Sequence, residues 1–149
     1  MTIENGISQE MKVKLRNLLV KHEGERNHPY YDTLGNITIG IGRNLTGIGI
    51  REDEKELMFK NDTDFLYAYF TKTYSWFSEL NEARQIAIID MAFMGIKNFA
   101  SFKRMISYLD KHDYIAAAAE ILDSEYGKKY INRSRDVANI VLQGTLDGE

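Results

Sequence analysis

Glu23 and Asp32 stand nine residues apart, and Thr38 lies six further on. Two carboxyl groups best serve the splitting of a glycosidic bond. One carboxyl protonates the leaving oxygen, and the other supports the oxocarbenium-like centre or activates a water that attacks it. The proton donor must stay protonated near neutral pH, which calls for a desolvated setting. Glu23 closes an apolar helical stripe and is expected to have one. The partner must stay ionised, which suits the polar hairpin that carries Asp32. Thr38, on the returning strand, could hold the attacking water. On spacing alone, such a pair is more often two solvated surface carboxylates.

Other chemistries fit less well. His22, Glu23 and His28 crowd together, but a zinc site of the His-Glu-x-x-His kind needs both imidazoles on one helical face. Here the histidines are six apart, with Gly24 between them and Pro29 adjacent. "GIGRNLTGIG" has neither dinucleotide-loop spacing nor a following phosphate-binding lysine. No serine sits in a Gly-x-Ser-x-Gly elbow. Tyr67, Tyr69, Phe70, Tyr74, Trp76 and Phe77 could stack on sugars, yet such a cluster reads first as core.

The elements that must position these residues can be read in order. Ser8 is placed to cap a first helix whose stripe is Met11, Leu15, Leu18, Leu19 and His22, with Gly24 ending it. "PYYDT", the turn "LGN" and "ITIGIG" read as a hairpin, with a third short strand near 43–45. Gly40 and Gly42 are expected to permit close backbone approach where a sugar would pass. Helices are expected over about 51–60, from about 62, from an Asn81 cap to Met94 with Gly95 as stop, and over 100–110. Two more are expected over 113–124 and 132–143, the last with Gly144 as its C-cap. The four alanines at 116–119 suggest close helix packing. The fold class is therefore α+β. A small antiparallel hairpin lobe (about 22–60) would accompany a larger helical lobe (about 73–149 plus the first helix) within one domain, with a cleft between them.

The chain has 149 residues, 44% hydrophobic and 28% charged, as an ordinary globular protein does. It has no cysteine, which excludes disulfides, a thiol nucleophile and cysteine-ligated metal. A net charge of −3 gives no basic footprint for nucleic acid. No basic region followed by an apolar run opens the sequence, so no secretory signal is read there. The greasiest stretch, "IAIIDMAFMGI", is too short to span a bilayer and contains Asp90.

The same residues carry a more specific pattern. Glu23, Gly24 and Arg26 are followed by Tyr30, Asp32, Thr33, Gly35, Thr38, Ile39, Gly40, Ile41 and Gly42. This ungapped series resembles the phage-type (T-even) lysozymes, glycoside hydrolase family 24. "GIGIREDEKELMFKNDTD", "ARQIAIIDMAFMG", "FASFKRM" and "NRSRDV" are similar to later segments of that family, so the resemblance covers nearly the whole chain.

The resemblance implies a lysozyme-like fold and a muramidase. Such an enzyme cleaves β-1,4 bonds between N-acetylmuramic acid and N-acetylglucosamine in peptidoglycan and so lyses bacterial cells. Glu23 would be the general acid, Asp32 the base on water or the nucleophile, and Thr38 the residue that positions the water. Asn44, Phe93 and Arg133 would touch substrate. No cofactor or metal is implied. The chain would act as a monomer on glycan strands, without inserting into a membrane. It would be made in the host cytoplasm as an endolysin and reach the cell wall after holin-dependent release. Departures from the family pattern are Arg43 in place of a frequent histidine, which implies a rewired ion pair, a shortened "AFMG" turn, and Met105 and Glu120 where relatives carry small polar residues. The rival readings are a lytic transglycosylase, which needs only the glutamate and leaves an anhydro-sugar end, and an inactive wall-binding phage module.

Overall fold

The computed structural model describes residues 6–146. The chain divides into two compact units, one up to Leu57 and one from Met58 onward.

The first unit opens with α1 (Gln9–Glu23). The Ser8 side chain accepts from the Met11 amide at 3.1 Å, which satisfies one of the open N–H groups of the first turn. Gly24, at φ +79°, returns its N–H to Val20 O and ends the helix. Three antiparallel strands follow in the order β1 (Arg26–Tyr31), β2 (Ile37–Gly40), β3 (Arg43–Asn44). Tyr30 faces Thr38, and Thr38 faces Asn44 on its other side. The β1–β2 turn closes through Asp32 N–H to Asn36 O at 2.9 Å and Gly35 N–H to Asp32 O at 3.1 Å. Gly35 there takes φ +82°, which only glycine adopts without strain.

The second unit is helical. α2 (Glu52–Thr73) runs across the division between the units. A single 3₁₀ turn (Phe77–Glu79) leads to α3 (Glu82–Ala92), α4 (Ile96–Ala100), α5 (Lys103–Asp110), α6 (Tyr114–Asp123), α7 (Glu125–Lys129) and α8 (Ile131–Gln143). The Asn81 side chain caps α3 by accepting from Arg84 N–H. Its amide also donates to Gly144 O at 2.8 Å, and Arg84 Nε donates to Val141 O at 2.7 Å. The end of α8 is thereby tied to the start of α3. The core is built on Phe70, Phe77, Phe99, Ile88, Met91 and Val141, with Ala117 and Ala118 buried where α6 meets α8 and α5.

The α+β class and the third strand are as expected. Three details differ. The helices expected over 51–60 and from 62 are one: Asn61 and Asp62 are mediocre helix formers, not breakers, and Lys60 pairs with Asp64 one turn on. α3 stops at Ala92, two residues early, because Gly95 at φ +114° opens α4. α4 and α7 have five residues each, too short to show a periodic stripe. The aromatic cluster is largely core, as expected: Phe70, Trp76 and Phe77 are buried, although Tyr67 is half exposed.

Candidate active site

Tyr30 pairs across the sheet with Thr38, and Thr38 with Asn44, so these three residues share one face. Asp32 follows β1 directly and opens the turn that leads to β2. The Tyr30 hydroxyl donates to the Glu23 carbonyl at 3.1 Å, which ties the end of α1 to this face. Arg26 lies over the Tyr30 ring at 4.6 Å and steadies it.

Asp32 is held as an anion. Its Oδ1 accepts from Asn36 N–H at 2.8 Å and Leu34 N–H at 2.9 Å, and its Oδ2 accepts from the Asn36 side-chain amide at 3.1 Å. These bonds, the Asn36 N–H first, lower its pKa below the ordinary 3.8, against the opposing effect of desolvation. The Asx geometry that shapes the turn is thus also what keeps the carboxylate ionised.

Thr38 is 3% exposed, and its hydroxyl donates to Asn36 O at 3.2 Å. The donor is spent, which leaves the oxygen's lone pairs for a water's hydrogen. Asn44 turns its Oδ1 toward Gly47 N–H at 2.8 Å, where it closes the turn after β3.

Glu23 departs from expectation. It is exposed, and α1 buries none of its residues, so the end of the apolar stripe does not desolvate it. Its side chain instead meets Gly42: a Cβ placed there would stand 2.9 Å from Glu23 Cγ. Gly42 therefore keeps room for the carboxyl-bearing side chain. Nothing lies within 4 Å of the corresponding position at Gly40, whose glycine answers to φ +66° alone.

Phe93 and Arg133 belong to the second unit and line one groove of about 590 Å³ together with Phe59, Ile86 and Ile89. Arg133 Nε donates to Asp90 Oδ1 at 2.9 Å and Nη2 to Asp90 O at 2.7 Å. That pairing raises the arginine's pKa further and fixes its direction. Met105 is 1% exposed and lies in the core. Glu120 lines a smaller hollow with Lys103 and Arg104.

Sequence reasoning missed several supporting groups. Tyr30 and Asn36 stood within the quoted motif, and an asparagine four residues after an aspartate across a glycine turn is a legible Asx signal. Glu54, which pairs with Arg43, gave no signal, because a charge eleven residues away on a helix start has no fixed register.

The family model described as phage lysozyme matches residues 20–136. Two curated relatives from Dictyostelium discoideum, "Probable T4-type lysozyme 1" and "Probable T4-type lysozyme 2", are each 26% identical to the chain. The alignments cover 92% and 91% of it and 98% of each relative.

Proposed function

The chain belongs to the phage lysozyme family, a family of peptidoglycan hydrolases, and from that premise we propose that it is a muramidase cleaving the β-1,4 bond between N-acetylmuramic acid and N-acetylglucosamine. Glu23 gives its proton to the leaving sugar oxygen. Asp32, kept anionic by Asn36 and Leu34, draws a proton from a water held at Thr38 Oγ1, and that water attacks the anomeric carbon from the opposite side. Inversion follows, since no bond to the enzyme forms. The observation that carries this reading is the pairing of Tyr30 with Thr38, with Tyr30 tied to the end of α1 at Glu23 and Asp32 held as an anion in the adjoining turn. Digestion of purified peptidoglycan with mass analysis of the products tests it. Reducing N-acetylmuramic acid ends are expected, and anhydro ends would instead mean transglycosylation. Product NMR is expected to give the inverted anomer at first turnover, whereas a retained anomer would make Asp32 a nucleophile.

A further inference from the structure

The Glu23 side chain packs against backbone of its own unit. The surface it meets is Gly42, and residue 43 is held unusually firmly. Arg43 forks onto Glu54, Nη1 to Oε1 and Nη2 to Oε2, both at 2.7 Å. Nη1 also donates to Gly49 O at 3.3 Å, and Glu54 Oε1 accepts from Arg51 N–H at 2.7 Å. Side-chain exposures of 26% and 37% make this a half-sheltered pair. A two-pronged guanidinium–carboxylate contact with added backbone bonds has little freedom of angle, unlike a single surface ion pair. Arg43 stands between Gly42, against which Glu23 packs, and Asn44, the cross-strand partner of Thr38.

We infer that the Arg43–Glu54 pair positions the proposed acid: by anchoring residue 43 to the start of α2, it presses the Gly42 backbone against the Glu23 side chain and restricts where the carboxyl can point. Neither residue is catalytic. Both act through Gly42, and the inference rests on Glu23 being the proton donor. A mis-aimed acid still leaves the substrate bound, so the loss belongs in kcat and not in KM.

The test is steady-state kinetics on solubilised linear peptidoglycan strands, with circular dichroism as a check on folding. Glu54→Gln and Arg43→Gln are each expected to lower kcat on the order of tenfold while KM stays within about twofold. Arg43→Lys, which keeps the charge but not the fork, is expected to fall between them and the parent. Introduced into a Gly42→Ala background, where the contact is already spoiled, Glu54→Gln is expected to change kcat by less than about twofold, whereas a purely structural role gives additive losses. Parent-like kcat in folded Glu54→Gln and Arg43→Gln, a loss confined to KM, or additivity with Gly42→Ala would each overturn the inference. If Glu54→Gln does not fold, Arg43→Lys and its combination with Gly42→Ala are read in the same way. Glu23→Gln is run in parallel: if it is inactive while Glu54→Gln is normal, only the positioning role falls, and if it is active, the assignment of the acid falls first.

Discussion

Single side chains set the protonation states and directions on which the chemistry depends. Asp32 is ionised because Asn36 donates to it twice, from the backbone and from the side chain. Asn36→Ala removes one of these bonds, so the Asp32 pKa should rise and the acid limb of the activity profile should move to higher pH. A pH–kcat/KM profile checks this. Gly40 and Gly42 share a left-handed backbone, at φ +66° and +68°. Alanine at either should cost roughly 1–2 kcal/mol of stability. Only at Gly42 does the new Cβ run into Glu23, so Gly42→Ala should lose turnover well beyond what Gly40→Ala loses. Thermal melts and turnover measured on both variants separate the shared backbone effect from the specific one.

Elements bring these residues together, and their ends do most of the holding. The first turn of α2 holds β3 through Glu54, whose carboxyl is lowered from 4.5 to about 2, chiefly by Arg43. A depressed carboxylate stabilises the fold fully above its unfolded pKa, and that stabilisation is lost as pH falls through the folded value. The stability difference between the parent and Glu54→Gln should therefore be constant above about pH 4.5 and vanish by about pH 2. Urea unfolding at a series of pH values measures it. At the α6–α7 junction, a Cβ on Gly127 would lie 2.4 Å from the Ile121 and Leu122 carbonyls. Backbone cannot swing aside as a side chain can, so Gly127→Ala should destabilise by about 1–3 kcal/mol, as overpacking does. These elements were legible in uneven degree. Ser8, Gly24, Asn81 and Gly144 mark helix ends by chemistry that is local, and the structure uses each of them as a cap. α4 and α7 escaped because one turn and a half cannot display a period, and their reason for existing is the packing of Phe99 and Tyr126. The Arg43–Glu54 staple escaped because it joins two elements whose relative register no local pattern encodes.

The molecule as a whole is one sheet-bearing unit and one helical unit, and the second contains the aromatic core. Phe70 is fully buried, with its ring centroid 4.8 Å from that of Phe99 and 5.4 Å from that of Phe77. Phe70→Ala should cost about 3–5 kcal/mol. Chemical denaturation followed through the single tryptophan, Trp76, which lies in the same cluster, reports on it. At this level the sequence was most informative about class: capped helices around a short hairpin leave few other architectures. It was least informative about surroundings. Glu23 looked shielded because it ends an apolar stripe, yet a stripe desolvates only when something covers it, and α1 buries no residue. Met105, a departure from the family pattern in sequence, is a core residue. In the proposed mechanism the activity turns on Glu23, and Glu23→Gln removes the proton while keeping the shape of the side chain. Turbidity clearing of bacterial cell walls by this variant, with its circular dichroism compared to the parent, is the decisive measurement. A correctly folded variant that clears nothing is the expected result, and clearing near the parental rate would contradict Glu23 as the acid.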